Sequence, residues 1–118
     1  MKTTSLPSPE DGSQAPGPGP TYEPSAARLV EQARGDLANR LGIPADQISV
    51  SSVQAVTWPD SSLGCPLPGM AYAQVLTPGV LILLEAGGSV YEYHAGRRSN
   101  VFYCENPEPP VPGMPGDV

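Results

Sequence analysis

Basic residues, histidine, cysteine and long apolar runs are all scarce in this chain, and each scarcity removes a class of function. Among 118 residues, six Lys and Arg face twelve Asp and Glu, for a net charge of -6. A chain with that balance has no electrostatic footprint for nucleic acid or for an anionic membrane surface. Arg97-Arg98 reads as the solvated tip of a hairpin, and a phosphate or nucleic-acid role would need more basic residues nearby. The aliphatic run Val80-Leu81-Ile82-Leu83-Leu84 is far too short to span a bilayer. His94 is the only histidine, so a catalytic reading has to use it.

What is present is unevenly spread. Of 16 prolines, six precede Ser25 and five follow Cys104. The stretches 1–24 and 105–118 are rich in Pro, Gly and Ser and poor in aliphatics, so neither buries enough apolar surface to offset its ordering entropy. Both are expected to be disordered tails around one compact domain over residues 25–104. Most of the negative charge lies in those tails, because the central stretch carries Glu31, Asp36, Asp46, Asp60, Glu85 and Glu92 against five arginines. A core of roughly 80 residues is near the size at which hydrophobic burial alone gives marginal stability.

Cys65 and Cys104 are too far apart in sequence for a local metal knuckle. In a small, proline-rich, lysine-poor chain they read as one disulfide, with two free thiols in a cytosolic protein as the alternative. Closing a loop of about 40 residues contributes on the order of 3–4 kcal/mol. The expected location is therefore secreted or cell-envelope, that is, extracytoplasmic. Met1-Lys2-Thr3-Thr4-Ser5 leads into prolines, not into an apolar signal segment. The expectation is that a leader has been removed, and that the N-terminal stretch resembles the spacer after a signal peptide or lipoprotein anchor. A removed or lipidated N-terminus would be the one route to membrane tethering.

Ser25 to Leu41 reads as an amphipathic helix, with Ser25 as N-cap and Gly42 and Pro44 as the stop. Leu29, Ala33, Leu37 and Leu41 form its apolar stripe, widened by Val30 and Ala38, while Gly35 is a weak point. Ile48 to Val56 alternates as a strand with one slip of phase, which a bulge near Ser52 restores. Further strands are expected at Met70–Thr77, Leu81–Leu84, Val90–His94 and Val101–Cys104. Thr77-Pro78-Gly79-Val80 reads as a type II turn, Gly87-Gly88 as a hairpin turn and Ala95–Asn100 as a polar loop. The fold class is α+β, with one N-terminal helix packed on a four- or five-stranded antiparallel sheet. The strand 80–84 is apolar on both faces, whereas one helix covers only one of them. Either Trp58 and the loop after it cover the second face, or an apolar patch there serves a partner or a homodimer.

That loop is the densest motif in the chain. Trp58-Pro59-Asp60-Ser61-Ser62-Leu63-Gly64-Cys65-Pro66-Leu67-Pro68-Gly69 holds the only tryptophan and three prolines, so it forms neither helix nor ladder. With its continuation to Gly79 and with Tyr91-Glu92-Tyr93-His94, it resembles a family of uncharacterised secreted or lipoprotein-type bacterial domains. Their signature is Trp-Pro-Asp-x-Ser-Leu-Gly-Cys-Pro-x-Pro-Gly, and the resemblance covers about residues 25–104. The layout of a helix before an antiparallel sheet is also similar to cystatin-like and PepSY-like domains, which bind peptides or peptidases; that likeness is one of shape only.

Three functional readings follow. The first is a non-enzymatic binding or structural module with an unknown protein or peptide partner, whose candidate contact residues are Trp58, Asp60, Leu63, Leu67 and Met70. It needs no cofactor and no nucleic acid, and it is a monomer or a weak homodimer. The second is a peptidase inhibitor acting through the loop 58–69, with Leu63 entering a specificity pocket, since a braced loop loses little entropy on binding. The third is an enzyme pairing Cys65 with His94, with Asp60 orienting the ring. A zinc site from Cys65, Cys104, His94 and Asp60 has suitable atoms but no paired short spacing.

Overall fold

The computed structural model describes residues 24–96 and 100–114. A helix, α1 (Pro24–Leu41), leads through a short 3-10 turn at Ala45–Gln47 into four strands: β1 (Ser49–Trp58), β2 (Thr77–Ala86), β3 (Ser89–Gly96) and β4 (Phe102–Tyr103). The strands pair antiparallel in chain order, β1-β2-β3-β4. This is the α+β class that the patterning predicts, with four strands.

Pro24 opens α1, a position where its missing N–H is no loss, so Ser25 is a helical residue and not the cap. At the other end Gly42 takes a positive φ, and Ile43 donates back to the Ala38 carbonyl, which closes the helix. Leu29, Val30, Ala33 and Leu37 are buried as the stripe predicts and Ala26 is buried beside them, whereas Ala38 is half-buried and Leu41 is exposed. Beneath the helix lie Val80, Ile82 and Leu84 of β2 with Tyr93 and Ala95 of β3. The Tyr93 hydroxyl donates to Asp36 at 2.6 Å, which also receives Arg40 at 2.6 Å. Burial pushes the Asp36 carboxyl up, but those two hydrogen bonds outweigh it and hold the group below its ordinary range. Burial, followed by the Asp36 contact, pushes the Tyr93 phenol up.

The phase slip in β1 is a bulge: Val50 pairs with Leu84 and Ser52 with Leu83, leaving Ser51 as the extra residue. β2 and β3 turn on Gly87-Gly88, both with positive φ. Two expectations fail together. Met70–Leu76 is loop, not strand, and Pro78-Gly79 lies inside β2, not in a turn. Pro78 is tolerated because it faces Thr57, whose carbonyl turns away from β2 to accept from Val111. No ladder bond is lost there. Ala95 and Gly96, expected in a loop, complete β3.

The expected tail from 105 is partly attached. Residues 105–114 run without regular structure along the domain, and Glu108 donates to Gly64 and Val111 to Thr57. The expected N-terminal tail up to residue 23, the Arg97-Arg98 tip and residues 115–118 lie outside the described residues.

Candidate binding loop and its Trp58 anchor

Register places Val56 and Trp58 of β1, Gly79 and Leu81 of β2, and Glu92 and His94 of β3 on the sheet face opposite α1. Trp58 ends β1 and is wholly buried. Its indole N–H donates to the Ala95 carbonyl at 3.1 Å, and its ring stacks on His94 with centroids 4.3 Å apart. A side chain at Gly79 would collide with the indole and with the Ala95 carbonyl, so only glycine leaves room for the ring. Gly64, at φ +75°, brings the loop against the opposite part of the same ring. The second face is thus closed by the tryptophan and the loop that follows it.

His94 holds that loop down. Its Nδ1 lies 2.7 Å from the Leu63 carbonyl and its Nε2 lies 2.7 Å from a Glu92 carboxylate oxygen. Phe102 meets the ring edge-on at 6.2 Å. Each ring nitrogen thus faces an oxygen, one on the loop and one on the same strand. Asp60 does not orient the ring. Its Oδ1 instead receives the Ser62 hydroxyl at 2.6 Å and the Ser62 N–H at 2.9 Å, a local turn that lowers the carboxyl pKa. Cys65 is bonded to Cys104, with Cα atoms 5.8 Å apart, so its sulfur is not a thiolate nucleophile beside His94. Among the described residues no group of three His, Cys, Asp or Glu side chains is placed to hold a metal ion.

The five candidate contact residues therefore separate. Trp58 is interior and offers no surface. Asp60 is half-buried within its turn. Leu63 is half-buried with φ +59° and its carbonyl engaged by His94, so it does not project as an extended inhibitory loop requires. Leu67 and Met70 are 58% and 60% exposed, and they share this with Val75 and Leu76, at 55% and 54%.

These four side chains stand on a braced loop. Ser61 donates its N–H to the Ala73 carbonyl at 3.0 Å, and its hydroxyl accepts the Ala73 N–H at 2.9 Å. The Tyr72 hydroxyl accepts the Leu67 N–H at 3.0 Å, and Met70 donates to the Leu67 carbonyl. The disulfide fixes the loop's near end, where Pro66, Leu67 and Pro68 border a groove of about 240 Å³ with Arg40 and Tyr103. Arg40 lies over the Tyr103 ring at 4.9 Å on the far wall.

Sequence reasoning missed Val75 and Leu76, because it placed them in a strand. The available signal was charge: from Ser61 through Leu84 there is no ionisable acid or base other than the paired Cys65 and Tyr72. An exposed strand on a sheet edge usually carries charges, and this stretch carries none.

The disulfide points to an oxidising, extracytoplasmic compartment, and no described helix is long and apolar enough to cross a membrane. No curated protein and no solved structure matches the chain. Residues 30–104, from within α1 to the second cysteine of the bridge, match the family described as Domain of unknown function (DUF8738), and the chain belongs to that family.

Proposed function

We propose that this chain is a non-enzymatic extracytoplasmic module that presents the loop 66–76 to a protein partner. One observation carries the reading. Leu67, Met70, Val75 and Leu76 are each more than half exposed on an uncharged loop braced by Ser61, Tyr72 and the disulfide. Apolar side chains held out by a preordered backbone suit association, because little entropy is lost on binding. The commitment of Cys65 to its bridge and of both His94 nitrogens to neighbours supports a non-enzymatic role. The bridge also supports secretion or attachment to the cell envelope.

The test is retention of native envelope proteins on immobilised wild-type chain and on Leu67→Asp/Met70→Asp. The reading predicts a discrete partner held by the wild type and lost by the variant, with unchanged thermal stability. Equal retention by both proteins would remove it. Peptidase inhibition is the second reading, favoured by the bracing of the loop by a disulfide and prolines, now with Leu67 as the projecting residue. Sub-micromolar inhibition in a panel of serine, cysteine and metallopeptidases, abolished by Leu67→Asp, would establish it.

A further inference from the structure

β1 is an edge strand with no protection of its own beyond its first residues. From Gln47 through Pro59 the sequence has no charged residue, and there is no proline between Ser49 and Trp58. Natural edges are ordinarily guarded by charge, proline or a bulge, and here the bulge at Ser51 guards only the start. Backbone groups alternate in direction along a strand. Because the Thr57 carbonyl turns outward to Val111, the N–H and C=O of Ala55 and Val53 point outward as well.

The segment beyond β4 supplies the missing guard. Val111 donates to Thr57 at 2.9 Å, and Pro110 to Met114 run beside Gln54, Ala55 and Val56 across a groove of about 340 Å³. Pro107, Pro109, Pro110 and Pro112 have no N–H, so this cover neither completes a ladder nor offers one to a further strand. We infer that residues 107–112 cap the β1 edge, and that the edge beneath is a pairing surface for a second copy of this chain.

The strand is self-complementary in the required sense. Two copies related by a two-fold axis at Ala55 pair antiparallel, with Val53 of each facing Thr57 of the other. No like charges meet, and β-branched side chains oppose each other. With the cap in place the edge is covered and the chain is monomeric.

The experiment is sedimentation equilibrium on the full chain, on a chain ending at Asn106, and on that shortened chain carrying Ala55→Pro. The expected result is one chain, then two, then one again, with the near-UV signature of Trp58 retained in all three. A shortened chain that stays folded and monomeric overturns the inference. So does association that Ala55→Pro leaves unchanged, since another surface would then be responsible. Val111→Pro in the full chain removes the Val111 N–H that donates to the Thr57 carbonyl without removing the segment. If the shortened chain loses its near-UV signature, this variant decides by the same readings, with and without Ala55→Pro.

Discussion

The two faces of this sheet are closed by different physics. Under α1 the contacts are aliphatic and non-directional: Leu29, Val30, Ala33 and Leu37 lie against Val80, Ile82 and Leu84. On the opposite face one indole, one imidazole, a disulfide and a few hydrogen bonds do the same task. Burial on the first face is shared among many small increments. On the second it is concentrated in Trp58, whose ring touches the loop, β2 and β3 together. A small domain can therefore seal one face with a helix and the other with a single anchored loop, leaving the outer part of that loop available for contact.

The largest break in this comparison is Trp58→Ala, expected to lower stability by about 3–5 kcal/mol in denaturant titration. Leu37→Ala on the first face should lower it by about 2–5 kcal/mol. The faces differ more clearly in coupling than in size. Trp58→Ala combined with loss of the disulfide should be non-additive, because both hold the same loop, whereas Leu37→Ala combined with that loss should add. Additivity in both pairs would mean that the loop is not held as one unit.

Replacing both cysteines by serine should itself lower stability by about 3–4 kcal/mol, seen as a lower denaturant midpoint with α1 helicity retained at low denaturant. The smallest effect belongs to the first face. Gly35 is exposed in α1 and has open space around its Cα, so Gly35→Ala should raise stability by about 1 kcal/mol.

The difference between the faces is also why one was more legible in the sequence. The stripe of α1, the slip that became the Ser51 bulge and the Gly87-Gly88 turn are local patterns, and each emerged where the residues placed it. The Pro78-Gly79 pair has strong local turn chemistry, but its glycine makes room for a tryptophan 21 residues earlier in the chain. Tertiary packing overrode the local preference. Met70–Leu76 alternates in sequence, yet it pairs with no strand; Ala73 bonds to Ser61 and Met70 to Leu67, so the segment is held as a loop. Leu67 and Met70 were legible as candidate contacts because Leu67 lies between Pro66 and Pro68 of the loop motif and Met70 directly follows its last glycine. The roles of His94 and Glu92 were not, since nothing local ties a strand histidine to a carbonyl 31 residues away.

The central claim is that Trp58 is an interior anchor holding the loop on the second face, and tryptophan fluorescence tests it most directly because the chain has a single indole. The account predicts blue-shifted emission that iodide or acrylamide barely quenches in the native, disulfide-bonded chain, with a red shift and easy quenching on unfolding. Red-shifted, readily quenched emission in the native chain would contradict it and make Trp58 part of the contact surface instead.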